Sequence, residues 1–256
     1  MKKICVICSG WHYPYQFYNA MNNQKIPKGW DISMFCISHR NYKYAKIEKE
    51  NRKFVGSRAY LDEQLYTSII TDIDIEYLNW NYKEYPNTIG DWGCFNQWLS
   101  EYDYNLYDLF LFTHDDNLIL SCNWLSDIIN SKNYDNWEIL SNSSGAPKGW
   151  LRGSCEFFKP SILKKLGGKF DLSEVKLKRI NEKFGAQNLN ELSDWNKTVT
   201  PLMNFIHNNN ISIHFSSNWY RVSKYCIEGE RGYISNTTGN NTISENEGLS
   251  KLNVLK

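Results

Sequence analysis

A chain of 256 residues is long enough to bury one substantial core, and a single domain of this size is normal for an α/β protein. Its 29 basic and 28 acidic residues give a net charge of +1, which lacks the basic excess of proteins that bind nucleic acid or anionic membranes. The apolar run at 4–8 is far shorter than the roughly 18 residues of a membrane span and has no signal-peptide cleavage pattern, which predicts a cytoplasmic protein without a transmembrane segment.

The first 40 residues predict a β-α-β unit. A strand at 4–8, a helix at 15–22 and a strand at 32–37 follow one another. Parallel strands joined in this way end at the same edge of a sheet, where α/β proteins hold nucleotides. The absence of G-x-G-x-x-G and of G-x-x-x-x-G-K-[ST] argues against a dinucleotide-binding dehydrogenase and a P-loop nucleotide hydrolase. The candidate nucleotide-binding residues just after the two strands are Ser9, Tyr13, His39 and Arg40.

A third strand is predicted at 75–80, followed by a helix. The helix is indicated by Trp92, Phe95, Leu99 and Tyr102, which recur at helical spacing and predict one buried stripe. Asp91 stands directly before this stripe, and we expect it to cap the helix.

The most informative stretch is an apolar run at 109–112 that stops at His114-Asp115-Asp116-Asn117. A run of this length, rich in Phe and Leu, is typical of a strand buried on both faces that carries carboxylates to its C-terminal end. Adjacent carboxylates repel each other, and Mg²⁺ or Mn²⁺ held between them and a phosphate-bearing ligand relieves that repulsion. Asp-Asp-Asn after a strand is also typical of a turn, so these residues alone leave both interpretations open.

The second half of the chain continues to alternate between helices and strands. Helices are expected at 124–129, 160–166 and 202–207, and strands at 137–141, 151–158 and 211–216. The loop at 142–150 has the composition of a segment that closes over a ligand. The whole pattern predicts one α/β domain at 1–234, with a mostly parallel central sheet flanked by helices, and a polar tail at 235–256.

Over roughly residues 3–220 the chain resembles the GT-A-fold glycosyltransferases, and most of all their family-2 type. Four pieces occur in the order that the family shows. They are Asn87, Gly90 and Asn96 for its Asn-Gly-Asn helix, residues 109–116 for the strand with its Asp-x-Asp motif, residues 167–171 for its Gly-Gly-Phe-Asp stretch, and Glu191 and Asp194 for the acidic pair before its late helix.

The resemblance implies a GT-A-type, Rossmann-like fold and a sugar transfer from a nucleoside-diphosphate donor to a hydroxyl of a glycan or glycoconjugate, as in polysaccharide biosynthesis. In this scheme Asp116 coordinates the Mn²⁺ or Mg²⁺ ion that bridges the diphosphate, and Asp115 faces the sugar or the ribose. Asp194 is the expected base of an inverting reaction, with Glu191 as the second candidate.

Two departures from the family motifs affect these roles. His114 occupies the first aspartate position of the motif, where it either bonds to the nucleotide or simply ends the strand. His39 and Arg40 stand where many glycosyltransferases that use uridine diphosphate sugars have an aspartate, so the resemblance leaves the choice of nucleotide open. The remaining candidates are Arg152, as a phosphate partner, and His214, as a metal ligand.

Two other functions are kept as alternatives. A sugar-1-phosphate nucleotidyltransferase usually has a glycine-rich, basic loop after its first strand, which the segment at 9–13 matches poorly. A non-catalytic module that binds a sugar or a nucleotide sugar would fit the aromatic content of 15% and the altered acidic motif.

Overall fold

In the computed structural model of the protein, helices cover both faces of a central seven-stranded sheet. The described residues are 1–10, 15–38, 79–85, 90–115, 119, 122–141, 151, 155–173, 195–215, 220–221, 234–236 and 242–243. The strands of the central sheet are β1 (Lys2–Gly10), β2 (Trp30–Ser38), β3 (Trp80–Glu84), β4 (Leu109–His114), β5 (Ile139–Ser141), β6 (Cys155–Phe158) and β7 (Ile213–Phe215). The helices are α1 (Tyr15–Asn22), α2 (Gly90–Glu101), α3 (Trp124–Ile129), α4 (Pro160–Lys165) and α5 (Trp195–Asn208).

The strand order is β3-β2-β1-β4-β6-β5-β7. Strands β3, β2, β1 and β4 are mutually parallel, β6 is antiparallel to both of its neighbours, and β7 is parallel to β5. Six of these seven strands therefore point the same way, and their carboxyl ends define one edge of the sheet, called the carboxyl edge below. This topology confirms the predicted fold class, an α/β protein with a mostly parallel sheet flanked by helices.

The central strands are apolar on both faces because each face is covered by helices. Along β1, Ile4, Val6 and Cys8 pack against α1 and α3, whereas Cys5 and Ile7 pack against the side that carries α2, α4 and α5. The two sides are called the α1 face and the α2 face below. Because successive side chains of a strand point to opposite faces, each strand residue can be assigned to the α1 face or the α2 face.

Helix α4 ends at two glycines, as the sequence predicted. Gly167 and Gly168 have φ angles of +69° and +75°, and their N–H groups donate to the carbonyls of Lys164 and Leu163. This pattern satisfies carbonyls at the end of the helix. A Cβ atom at Gly168 would lie 3.1 Å from Cε1 of Tyr104, so a larger residue there would meet both strain and crowding.

Several predicted element boundaries were wrong. The third strand, Trp80–Glu84, continues past the predicted end at 80, and most of its residues are partly or fully exposed; residues 75–78 of the prediction lie outside the described part of the chain. The apolar pattern missed it because a half-exposed strand lacks a continuous apolar run. Asp91 does not precede α2 but lies in its first turn.

The last helix also differs from the prediction, since it begins at Trp195 and runs through Pro201. Proline removes one N–H donor, and here that loss does not end the helix. The strands at 137–141, 151–158 and 211–216 are shorter than expected, namely β5, β6 and β7.

Beyond the central sheet, three short strands form a separate antiparallel sheet, β8 (Tyr220–Arg221), β9 (Ile234–Asn236) and β10 (Thr242–Ile243). Two of them lie at or beyond the predicted domain boundary at 234, which itself stays a prediction. Among the described helices, none combines the length and the apolar character needed to cross a membrane.

Candidate functional site at the carboxyl edge

Buried polar side chains gather at the carboxyl edge of the central sheet. Six of the seven that are buried in the described part of the chain lie on strand residues near this edge or directly after such a strand. They are Ser9, Ser38, Thr113, Asp115, Ser141 and Glu156. Burying a polar group is costly unless it is hydrogen-bonded, so such a concentration indicates a site rather than a packing core.

The ends of β1, β2 and β4 are aligned with one another. Ser9 is in register with His114, and Gly10 is in register with Ser38. The Ser38 hydroxyl donates to the carbonyl oxygen of Gly10 over 2.8 Å, which ties the ends of β1 and β2 together. The loops that follow these strands therefore start from a fixed position.

Asp115 is the central group on the α1 face of the site. It directly follows β4 and is completely buried, and the hydroxyl of Tyr18 in α1 donates to its Oδ2 over 3.3 Å. The same phenol oxygen lies 3.3 Å from the Cys36 sulfur. Burial raises the pKa of the Cys8 and Cys36 thiols well above the ordinary value, and the charge of Asp115 raises it further. Both thiols therefore stay neutral around the carboxylate.

On the α2 face, a second buried carboxylate lies close to the same edge. Glu156 is the second residue of β6 and is completely buried; its Oε1 accepts from the Ser141 hydroxyl over 3.3 Å. It is in register with Phe112, two residues before His114 on the same face. Ser9 also faces this side, and its hydroxyl donates to the Cys94 sulfur in α2 over 3.7 Å.

Asn96 in α2 fixes the segment that leads away from α4. Its Nδ2 donates to the carbonyl oxygen of Phe170 over 2.9 Å, and the Phe170 N–H donates to its Oδ1 over 2.7 Å. Two pieces of the family resemblance, 74 residues apart, are thus bonded to each other. The Phe170 ring packs on Trp92, with 4.6 Å between ring centroids.

The contact between Phe170 and Trp92 places the segment after α4 near the carboxyl edge. Helix α2 connects the carboxyl end of β3 to the amino end of β4, so its first turn, which holds Trp92, lies beside the carboxyl edge. Asp171 follows Phe170 and accepts from the N–H and the hydroxyl of Ser173, which lowers the pKa of Asp171. The described chain resumes at α5, which begins directly after Asp194.

The structure brings three of the predicted site residues together, namely Ser9, His114 and Asp115. It does not bring His214 to them, because β7 lies three strands from β4, roughly 14 Å at the usual strand spacing. In addition, His214 is exposed and is level with Leu111 rather than with the end of β4. The predictions for Tyr13, His39, Arg40, Asp116, Arg152, Glu191 and Asp194 fall outside the described residues.

The groups at the end of β4 suit a hard divalent cation. Asp115 supplies carboxylate oxygens there, and Asp116 is the next residue in the sequence. In the described part of the chain, no cluster of three or more His, Cys, Asp or Glu side chains could enclose a metal ion. Mg²⁺ and Mn²⁺ need no such cluster, because one or two carboxylates with phosphate oxygens and water complete their coordination.

Sequence reasoning missed two buried groups of the site, Tyr18 and Glu156. Tyr18 belongs to a helix whose apolar residues suggest only packing, and its contact with Asp115 spans 97 residues. Glu156 stands among Cys155, Phe157 and Phe158 in a fully buried strand. The sequence could have revealed Glu156 by this position, because a carboxylate inside a buried apolar run requires a partner.

No protein-family profile and no curated protein sequence matches the chain. Among solved structures it is similar to the mannosyltransferase PcManGT from Pyrobaculum calidifontis in complex with GDP-Man and Mn²⁺, with a TM-score of 0.40, 11% identity, and coverage of 66% of this chain and 47% of that one. It is also similar to TarS from S. aureus, with a TM-score of 0.45, 12% identity, and coverage of 87% and 37%. A cytidylyltransferase from Leptospira borgpetersenii gives a TM-score of 0.45, 11% identity, and coverage of 97% and 85%.

The chain spans less than half the length of the first two of these structures. The three include glycosyltransferases and a nucleotidyltransferase, and at such scores and identities they decide nothing about the activity of this chain. What its own fold and site define is an α/β protein with a buried polar site at the carboxyl edge of a mostly parallel sheet.

Proposed function

We propose that the chain is a metal-dependent glycosyltransferase that moves a sugar from a nucleoside-diphosphate donor to a hydroxyl of a glycan or glycoconjugate. One observation carries the proposal: buried polar groups concentrate at the carboxyl edge, where fully buried Asp115 immediately precedes Asp116. Ligands of α/β sheets bind outside the carboxyl ends of the strands. The resemblance of the motif at 109–116 to the Asp-x-Asp strand of GT-A glycosyltransferases supports the same assignment.

The proposal assigns the donor to the ends of β1, β2 and β4. Ser9 and Tyr13, together with His39 and Arg40, belong to or follow strands whose ends are tied by the bond between Ser38 and Gly10. Asp115 faces the sugar or the ribose of the donor, His114 bonds to the nucleotide, and Arg152 pairs with phosphate.

Asp116 holds Mn²⁺ or Mg²⁺ in this scheme, and the bound ion would stabilise the negative charge that develops on the leaving diphosphate. His214 receives no metal role, because it lies on β7, three strands from β4. Asp194 takes the proton from the acceptor hydroxyl in an inverting transfer, with Glu191 as the second candidate. The proposal also places the reaction in the cytoplasm and in polysaccharide or glycoconjugate biosynthesis.

Ligand-dependent thermal unfolding tests the donor site. Uridine, guanosine, cytidine and thymidine diphosphates are added separately, each with and without Mn²⁺, to the unmodified protein and to Asp116→Ala. We expect one nucleotide to stabilise the protein only with the ion, by roughly 2.7 kcal/mol when its concentration is a hundred times the dissociation constant. We expect Asp116→Ala to abolish this stabilisation.

The matched control is Asp31→Ala, which removes an exposed carboxylate near the opposite edge of the sheet and should leave the nucleotide effect unchanged. Product analysis then separates the alternatives. A glycosyltransferase releases a nucleoside diphosphate from a nucleotide sugar, a nucleotidyltransferase releases pyrophosphate from a nucleoside triphosphate, and a binding module releases neither. Stabilisation by no nucleotide under any of these conditions would contradict the proposal.

A further inference from the structure

Tyr18 is placed to control the orientation of Asp115. The phenol has one proton, and that proton is donated to Oδ2 of Asp115 over 3.3 Å. The same phenol oxygen lies 3.3 Å from the Cys36 sulfur, a contact in which either group can donate. Tyr18 therefore links Asp115 to a neighbouring thiol, and hydrogen bonds in such networks polarise one another.

The phenol is rigidly held, which is what an orienting group requires. Tyr18 is completely buried in the first half of α1. Its ring makes edge contacts with Phe17, at 5.2 Å between centroids, and with Trp80 of β3, at 5.0 Å. A hydroxyl on a ring enclosed in this way cannot follow the carboxylate if the carboxylate turns, so the hydrogen bond favours one orientation of Asp115.

The orientation of Asp115 matters because this residue lies at the carboxyl edge, where a ligand would bind. Asp115 begins the turn after β4 at the carboxyl edge, and its bond to Tyr18 sets the direction in which its second carboxylate oxygen faces. A catalytic or binding group loses much of its effect when it is displaced by about 1 Å. A buried hydroxyl that holds it is therefore part of the site without touching the ligand.

We propose that Tyr18 is a positioning residue, which holds Asp115 in the orientation needed to bind the donor nucleotide with its metal ion. This inference rests on the proposed function, since it requires that Asp115 contact the donor. It adds a residue of α1 to a site that the sequence placed only on strand ends and loops.

The test is the affinity for the stabilising nucleotide with Mn²⁺, measured by calorimetry on four proteins: unmodified, Tyr18→Phe, Asp115→Asn and the double variant. Tyr18→Phe keeps the ring contacts and removes only the hydroxyl. We expect it to weaken binding about 10-fold or more, as for other hydrogen bonds to charged groups. In the Asp115→Asn background the same change should have little further effect, because the two residues act as one unit.

Two controls separate positioning from stability. Phe17→Leu disturbs the same ring cluster without touching the hydroxyl, and it should lower the melting temperature while leaving the affinity within a factor of about two. Cys36→Ala removes a second contact of the phenol and should weaken binding less than Tyr18→Phe does.

The outcomes are distinguishable. If Tyr18→Phe binds the nucleotide as tightly as the unmodified protein, the positioning role is overturned and the proposed function stands. The same conclusion follows if Tyr18→Phe weakens binding by the same factor in the unmodified and in the Asp115→Asn backgrounds. If the unmodified protein binds no nucleotide with or without Mn²⁺, both the proposed function and this inference are overturned.

Discussion

At the residue scale, the carboxyl edge holds two completely buried carboxylates on opposite faces of the sheet. Asp115 receives the Tyr18 hydroxyl on the α1 face, and Glu156 receives the Ser141 hydroxyl on the α2 face. A buried carboxylate is tolerated only where donors compensate its lost hydration, and each of these hydroxyls supplies part of that compensation. The described part of the site is therefore built from side chains of α1, β5 and β6 as well as from the turn after β4.

Removing the Asn96 side chain should destabilise the protein through the loss of its two bonds to the Phe170 backbone. Asn96→Ala leaves the N–H and the carbonyl of Phe170 without their partner in a partly buried place. We expect the free energy of unfolding to fall by roughly 1–3 kcal/mol, as for other unsatisfied backbone groups. Urea denaturation measures the change. The control is Gln97→Ala, one residue along the same helix, which loses only an exposed bond to Glu101 and should change stability much less. Equal effects of the two changes would refute the role of Asn96.

At the element scale, α2 is attached to both the sheet and the segment after α4. Asn96 bonds Phe170 near the middle of the helix, and Glu101 at its last residue accepts from three donors. These donors are Lys83 at 2.6 Å, Tyr85 at 2.6 Å and Gln97 at 3.0 Å. Lys83 belongs to β3 and Tyr85 directly follows it, so Glu101 joins the end of α2 to the outermost described strand beside β2.

The contacts of Glu101 predict a pH dependence. Hydrogen bonds from Lys83, Tyr85 and Gln97 lower the pKa of Glu101 to about 2, from 4.5 for an ordinary glutamate. The folded state therefore binds its proton less readily than the unfolded state does, and the stabilisation is complete above pH 4.5 and lost as the pH falls toward 2.

Glu101→Gln should accordingly lower the melting temperature slightly at pH 7 and make little difference near pH 2. The effect is small because the contacts are largely exposed to solvent, and 1 M NaCl should reduce it further. Thermal unfolding of both proteins between pH 7 and pH 2 measures the difference. A difference that stays constant over this range would show that Glu101 contributes through packing alone.

At the scale of the whole molecule, two cores on opposite faces of one sheet hold the described strands in place. On the α2 face the core is rich in aromatic rings, and Trp98 is completely buried among them. Its ring contacts Phe35 of β2 at 5.4 Å, Phe110 of β4 at 5.8 Å and Tyr107 at 5.8 Å between centroids. One side chain of α2 therefore packs on two of the strands that carry the site.

Trp98→Ala should destabilise the whole domain rather than one element. Removing a completely buried tryptophan leaves a cavity, and we expect a loss of about 3–5 kcal/mol in the free energy of unfolding. Leu106→Ala is the control, since Leu106 is 62% exposed and its change should stay within about 0.5 kcal/mol. Urea denaturation followed by far-UV circular dichroism compares the two. A loss at Trp98 no larger than at Leu106 would contradict the central position of its ring.

The sequence by itself determined the elements whose burial is local and continuous. β1, β2 and β4 were predicted because strands covered on both faces read as apolar runs, and α1 and α3 were predicted with their observed bounds. The same reasoning placed Ser9, His114 and Asp115 at one edge, because parallel strands end together.

Only the tertiary structure decided which distant groups meet. Tyr18 and Asp115 are 97 residues apart, and Asn96 and Phe170 are 74 apart, so no local pattern pairs them. Tertiary packing also placed many of the described aromatic rings, such as Trp98 and Phe112, in the core, although their abundance equally suited a ligand cleft. Periodicity shows that a side chain is buried, whereas its partner depends on how the strands are ordered and which face each helix covers.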